Sequence, residues 1–251
     1  MSQTTQSKAN ILSRLRVMTF NTANDFVDPM HLLAMLREYD ADIIALVELS
    51  PRNADALKEN LQAEYPHRVL FGKKFDGKGL LSRYPIEQHE YFTLLTQRPH
   101  IECRVNVAGQ RVTVFVVHAP APNYRQFERQ SAYCEPEITS LIQRGKLDQP
   151  TIYMGDFNFI DRSATYRLLV DAGLTDTFRA VGSGAGLTFP TRFQYLPVRL
   201  PLMVRIDYIW VSNHFQPLSS RVALGYGSDH LPVISELALL ATQDQSVKTN
   251  S

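Results

Sequence analysis

The chain has 251 residues, 44% of them hydrophobic and 20% charged, with a formal net charge of +1. That is enough apolar side chain for a sizeable core, and Cys103 and Cys134 are too few for a disulfide framework or a zinc site. The near-neutral balance argues against strong nonspecific capture of nucleic acid and leaves room only for a local basic patch.

No Gly-, Ser- or Pro-rich linker divides the chain, so the reading is one domain over 14–240, with 1–13 and 241–251 as flexible termini. The start, Met1 to Asn10, is polar and lacks the apolar core of a signal peptide. No run approaches the roughly 18 apolar residues of a membrane span. The expectation is a soluble, cytoplasmic protein with no stable membrane insertion and no obligate protein partner.

The predicted elements alternate between strands and helices. Arg16 to Phe20 is a short apolar strand ending at Asn21. Asp28-Pro29 supplies an N-cap and a first-turn proline for a helix whose apolar face is Leu32, Leu33, Met35, Leu36 and Tyr39. Ile43 to Val47 reads as a strand buried on both faces that delivers Glu48. Ser50-Pro51 repeats the cap signature before a helix striped by Ala54, Leu57 and Leu61. Leu80 to Arg83 is a strand stopped by Tyr84-Pro85. From Ile101 to Val107 the alternation puts Glu102, Arg104 and Asn106 on one face, and Gly109-Gln110 reads as the hairpin turn into Arg111 to Val117, which ends at His118. A helix begins at about Arg125 with Pro136 interrupting it. Thr151 to Met154, Ile206 to Val211 and Val233 to Leu237 complete the predicted strands.

Polar residues recur at the edges of these apolar runs: Asn21, Glu48, His118, Asp156, Asn158, Asp207, Asp229 and His230. Strand ends are where a rigid scaffold hands side chains to a cleft, so the spacing points to one polar site assembled from distant strands. Taken singly, each residue has a plainer reading. Glu48 would be a surface carboxylate, Asp156 and Asn158 a turn capping its own backbone, Asp207 and His230 a structural contact, and His118 a structural histidine.

In order, Thr19-Phe20-Asn21, Leu46-Val47-Glu48, Leu81-Ser82-Arg83-Tyr84-Pro85, Val117-His118, Gly155-Asp156-Phe157-Asn158, Arg205-Ile206-Asp207-Tyr208-Ile209 and Gly227-Ser228-Asp229-His230-Leu231-Pro232 resemble the endonuclease/exonuclease/phosphatase superfamily. The resemblance runs from Arg16 to Glu236. It implies a four-layer α/β/β/α sandwich of two mixed β-sheets flanked by helices, and divalent-metal hydrolysis of a phosphoester with Mg2+ or Mn2+ as cofactor.

Such chemistry needs a hard cation, a base for water and donors for the developing charge. On the resemblance, Glu48 is the metal ligand, with Asn21 beside it and Asp229 contributing through water. Asp156 is the base and Asn158 a phosphate contact. His230 meets the scissile phosphate while Asp207 holds its ring protonated, and His118 stabilises or protonates the leaving-group side. Arg104 either reaches substrate phosphate or pairs with Glu102.

The abasic-site endonucleases of the superfamily carry an acidic residue where this chain has Ala23, and a tyrosine where it has His118. The chain looks more like the pancreatic-type deoxyribonucleases and sphingomyelinases. The leading expectation is a phosphodiesterase or nuclease acting on DNA or RNA. The alternative is a phosphatase or phosphodiesterase on a lipid or small phosphorylated metabolite. Lys73, Lys74 and Lys78 around Phe75 read as a solvated turn or, less simply, as a nucleic-acid contact. The proline-broken apolar stretch from Thr188 to Met203 is expected to shape the pocket rim, present a patch, or pack over the sandwich end.

Overall fold

A computed structural model describes residues 10–121, 127–191 and 201–241. Most of the stretch from Thr188 to Met203, and the two termini up to residue 9 and from residue 242, lie outside the described residues. In chain order the elements are β1 (Ile11–Asn24), α1 (Pro29–Tyr39), β2 (Ile43–Leu49), α2 (Pro51–Asn60), β3 (His67–Phe71), a short 3-10 turn (Lys74–Asp76), β4 (Lys78–Ser82), β5 (Ile86–Thr93), β6 (Pro99–Val107), β7 (Gln110–His118), α3 (Phe127–Arg144), β8 (Thr151–Asp156), α4 (Ala164–Asp171), β9 (Thr175–Asp176), α5 (Thr177–Val181), β10 (Asp207–Val211), β11 (Phe215–Val222) and β12 (Val233–Leu240).

The strands form two mixed six-stranded sheets, ordered β11-β12-β1-β2-β4-β3 and β5-β6-β7-β8-β10-β9. Their inner faces share one core, in which Val17, Ile43, Ala45 and Val47 of the first sheet meet Cys103, Val114, Val116 and Met154 of the second. The outer face of the first sheet is covered by α1 and α2, with Met18, Phe20, Ile44 and Leu46 packed against Leu32, Leu36 and Leu57. On the second sheet, Phe115, Val117, Tyr153 and Trp210 pack against Ile138, Leu141, Tyr166 and Leu169 of α3 and α4. Central strands buried on both faces read as continuous apolar runs for this reason, and the layer order is the expected α/β/β/α.

Both predicted helix starts form as capped starts. The Asp28 carboxylate accepts from Met30 N at 2.9 Å and the Ser50 hydroxyl from Asn53 N at 3.2 Å, each cap stabilising its helix by about 1 kcal/mol. Pro136 lies inside α3 rather than ending it. The β6–β7 turn is Ala108-Gly109, one residue earlier than expected. Both residues have positive φ (52° and 85°), and Val107 pairs with Gln110, the geometry a two-residue hairpin prefers.

β1 begins at Ile11, ahead of the expected domain edge at residue 14, because Ile11 pairs with Leu240 of β12. Four edge strands escaped the sequence pattern: β3, β5, β9 and β11. β9 is only two residues long, and β5 carries Glu87, Gln88, His89 and Glu90 in succession, all exposed. β11 contains Pro217 beside a register shift, which only an edge strand accommodates.

Two parallel pairs, β1 with β2 and β7 with β8, are each bridged by a helix. Their carboxyl ends emerge at the same end of the sandwich, where Asn21 of β1 bonds Asp156 of β8.

Candidate active site

Sheet register explains how the polar residues converge. In the second sheet His118 of β7 and Asp207 of β10 are both register partners of Asp156 on the strand between them. Register partners present their side chains to the same face. The first sheet contributes Asn21 and Glu48 from the ends of β1 and β2, and His230 from the loop before β12.

Asp156 is buried at the centre. One carboxylate oxygen, Oδ2, accepts from Asn21 Nδ2 at 3.0 Å and lies 3.8 Å from both His230 Nε2 and His118 Nε2. The other, Oδ1, accepts from Asn158 N at 2.9 Å. Burial, followed by the charges of Asp207 and Glu48, raises its pKa above the ordinary aspartate value, against the opposing pull of His230.

His230 Nδ1 lies 2.9 Å from Asp207 Oδ2. Burial alone would depress this histidine, but Asp207 and Asp156 outweigh it and raise the ring's pKa well above its ordinary value. The loop is pinned by Ser228, whose hydroxyl donates to Asn21 O at 2.7 Å and accepts from His230 N at 3.0 Å. The ring of Phe189 stacks at a tilt against His230, centroids 4.7 Å apart, so the described start of the 188–203 stretch reaches the site.

Glu48 is held in the left-handed region at φ 52°, and so are Ala23, Asn24 and Asn158 at its side (48°, 61° and 53°). Asparagine tolerates this region and glutamate does not, so Glu48 itself carries backbone strain. Thr22 Oγ1 fixes the turn by donating to Glu48 O at 2.7 Å, and Asn24 Nδ2 donates to Glu48 Oε2 at 2.9 Å. Burial raises the Glu48 pKa and the Asp229 charge adds to the shift, while His230 and a hydrogen bond from Asn21 oppose it. Glu48 and Asp229 bring two like-charged carboxylates together, a composition that suits a hard divalent cation, while Asn21 turns Nδ2 toward Asp156 and its Oδ1 accepts from Ala23 N at 2.9 Å. Asp156, Asp207 and His230 also place one ligand-type atom each within 4.8 Å of one another, a buried cluster compatible with an ion.

Two further residues belong to this site although the sequence did not mark them. Arg98, in the loop before β6, places Nη1 2.8 Å from His118 Nε2. Lys78, at the start of β4, is fully buried with Nζ 3.5 Å from His118 Nδ1. Burial and the Arg98 charge lower the Lys78 pKa to about 7. Burial, Lys78 and Arg98 push His118 well below its usual range, which leaves its ring neutral.

Lys78 is thus no part of a solvated basic turn. Glycines on either side made it look like one, yet a Cβ on Gly77 would sit 1.8 Å from Leu49 O, so the backbones there are in close contact. The legible signal was a lysine opening an apolar strand beside the Glu48 strand.

Arg104 does not join the site. It faces Thr113 in register, well back from His118, and its guanidinium donates to Gln88 Oε1 at 2.9 Å and approaches Glu102 at 3.9 Å. The alternation that put it beside Glu102 placed both on the helix-covered side of the sheet, where Arg144 binds Glu102 at 2.6 Å. A shallow concavity of about 440 Å³ lined by Asp161, Tyr166, Asp176 and Arg179 also lies apart from Asp156.

Residues 18–230 match the model of the Endonuclease/Exonuclease/phosphatase family. The chain is similar to the uncharacterized protein YbhP of Escherichia coli (strain K12), 27% identical over 184 residues that cover 70% of this chain and 68% of that protein. Among solved structures it is similar in fold to an endonuclease/exonuclease/phosphatase from Beutenbergia cavernae (TM-score 0.75, 20% identity, 91% of this chain and 72% of that one). D. rerio TDP2 complexed with single strand DNA product has TM-score 0.68 at 18% identity, covering 90% and 99%. The mannosyl-6-phosphatase of Bacteroides thetaiotaomicron has TM-score 0.66 at 20% identity, covering 90% and 100%. With the match spanning the strand ends from Asn21 to His230, the chain belongs to the endonuclease/exonuclease/phosphatase family, whose members are phosphoester hydrolases.

Proposed function

We propose that this hydrolase is divalent-metal-dependent and cleaves its phosphoester by in-line attack of water, with Asp156 as the base. The observation that carries this reading is the setting of Asp156: buried, with one oxygen aimed by Asn158 N–H and the other turned toward Asn21, His118 and His230. Desolvation raises its proton affinity, which suits a base that must take a proton from water.

His230, protonated through Asp207, offers its Nε2 proton to a phosphate oxygen. Asn158 spends one amide proton on Ala119 O at 2.9 Å and has a second for the phosphate. Glu48, with Asn21 beside it and Asp229 through water, would hold Mg2+ or Mn2+, which when bound would supply positive charge to the phosphate oxygens. His118 serves the leaving-group side as a neutral ring placed between two cations, so stabilisation rather than proton donation is its part.

Two substrate classes suit this chemistry. The nuclease reading is favoured by the likeness to TDP2 with its DNA product. The small-metabolite reading is favoured by the likeness to a mannosyl-6-phosphatase and by the basic turn, where Lys78 is buried and Lys73 pairs with Asp76 at 3.3 Å. The test is a panel of plasmid DNA, single-stranded DNA, RNA, bis-nitrophenyl phosphate, nitrophenyl phosphate and sphingomyelin with Mg2+ or Mn2+, and with EDTA and Asp156→Asn controls. Metal-dependent turnover of any member that Asp156→Asn abolishes supports the reading. A folded protein inert on all of them sinks it.

A further inference from the structure

The side-chain amide of Asn24 is taken up by one atom. Its Nδ2 donates to Glu48 Oε2 at 2.9 Å, while its Oδ1 is buried with no hydrogen-bond partner among the described residues. A buried acceptor without a donor is costly, yet turning the amide over would set its oxygen against the carboxylate, so Glu48 dictates the orientation. The backbone on both sides is fixed independently. Asn24 pairs with Leu49 in register and its carbonyl accepts from Asn53 Nδ2 at 3.2 Å, while the Glu48 carbonyl accepts from Thr22 Oγ1 at 2.7 Å. The Glu48 carboxylate therefore stands with Oε2 capped and with Oε1 3.7 Å from His118 Nε2. Glu48 keeps 15% of its side chain exposed where His118 and Asp156 keep 2% and 3%, so of these three it is the one an ion from solvent can reach.

Resting on the proposed metal-dependent hydrolysis, we infer that Asn24 is a positioning residue that sets the metal preference: by capping Oε2 it makes Glu48 a one-oxygen ligand and selects Mg2+ over Ca2+. Mg2+ keeps several of its waters and binds through one or two carboxylates, whereas Ca2+ takes roughly six to eight oxygens and often both oxygens of one carboxylate. Asp229 is the second carboxylate acting on Glu48, and Asn21 Oδ1 already accepts from Ala23 N at 2.9 Å. With Oε2 capped, the charged oxygens left over suffice for an ion that carries its own water. They are too few for one that sheds it.

The test titrates MgCl2 and CaCl2 by calorimetry into the EDTA-treated full chain as wild type, Asn24→Gly and Asn24→Asp. Tm in excess of each ion gives a second reading of the same preference, and circular dichroism verifies folding. Asn24 sits at φ 61°, a region glycine adopts freely and aspartate tolerates, so neither variant strains the turn. The wild type is expected to bind Mg2+ in preference to Ca2+. Glycine frees Oε2, and aspartate replaces the donor with an acceptor. Each variant should raise the Ca2+-to-Mg2+ affinity ratio by roughly 10-fold, the lower worth of a hydrogen bond to a charged group. A merely structural role for Asn24 weakens both ions alike, and that result overturns the inference while leaving metal-dependent hydrolysis intact. A wild type that binds Ca2+ as tightly as Mg2+ does the same. Binding of neither ion also overturns it, and if Mn2+ fails to bind as well, the metal reading of the site falls with it.

Discussion

Asp207 and His230 come from opposite sheets, yet Oδ2 of the first and Nδ1 of the second lie 2.9 Å apart, both side chains nearly out of reach of water. The other Asp207 oxygen, Oδ1, is buried with no hydrogen-bond partner among the described residues, so the carboxylate's charge is committed to the histidine. Asp207→Asn keeps the shape and removes that charge. His230 then loses the main influence that raises its pKa. Since the protonated ring is the active form, the alkaline limb of the kcat/KM profile should move to lower pH, and activity at neutral pH should fall roughly 100-fold. An unshifted profile would show that Asp207 does not govern the ring.

Asp156→Asn keeps the shape but has a single acceptor oxygen, so either Asn158 N or Asn21 Nδ2 loses its partner, and thermal unfolding should report a loss of about 1–3 kcal/mol. Turnover should fall by about 10²–10⁴-fold, the range for loss of a general base. Retention of most activity would transfer the base role to another residue.

Divalent metal should stabilise the fold. Glu48 is raised by burial and by the neighbouring Asp229 charge, and an ion between them removes that repulsion. With Mg2+ at a hundredfold excess over its Kd, unfolding should cost about 2.7 kcal/mol more, read as a rise in Tm that EDTA reverses. Glu48→Gln should abolish the rise. A wild-type Tm indifferent to Mg2+ and Mn2+ would count against the site.

Acid should weaken the protein through His100, which is wholly buried and donates through Nε2 to Glu137 at 3.0 Å, while its Nδ1 has no partner among the described residues. Burial lowers its pKa from the ordinary 6.5, so the unfolded chain takes up the proton first. The stability it contributes is complete above that value and is lost as pH falls below it. Glu137 is also lowered, by His100 and Thr96 against the effect of burial, and adds a second loss further down, as pH falls through the ordinary glutamate range. Tm followed from neutral to acid pH should decline in two stages, and His100→Gln should flatten the first.

Gly155→Ala should damage both fold and activity. Gly155 has φ 152°, and a Cβ there would meet Val117 O at 1.8 Å. The β7–β8 pair must open to admit it, at a cost of at least about 2 kcal/mol, and Asp156 next to it moves as well. Urea unfolding and turnover report the two effects separately.

Much of this arrangement is legible in the sequence because its cause is local. Asp28-Pro29 and Ser50-Pro51 start helices by chemistry that acts within a few residues, and Asn21, Glu48, His118 and Asp156 stand where apolar strands stop. What escaped depends on pairing across the fold. β11 carries a proline that only its edge position excuses. Lys78 resembles its neighbours Lys73 and Lys74 until β4 is sealed between β2 and β3. Arg98 sits in a polar connection, Thr96-Gln97-Arg98-Pro99, whose direction only the tertiary structure supplies. Arg104 shows the converse, a correct alternation with the wrong face assigned to function.

Away from the active site the two sheets meet largely along an apolar seam rich in Val, Ile and Leu, while each supplies half of the polar constellation. The molecule therefore works as a vernier. A small slip of one sheet along the other changes few apolar contacts, yet it separates Asn21 from Asp156 and His230 from Asp207 together. Volume changes at seam positions such as Val114 or Ala45, remote from the phosphate, should thus surface as lost catalysis before they surface as lost stability, and turnover becomes the finest gauge of how the two layers are aligned.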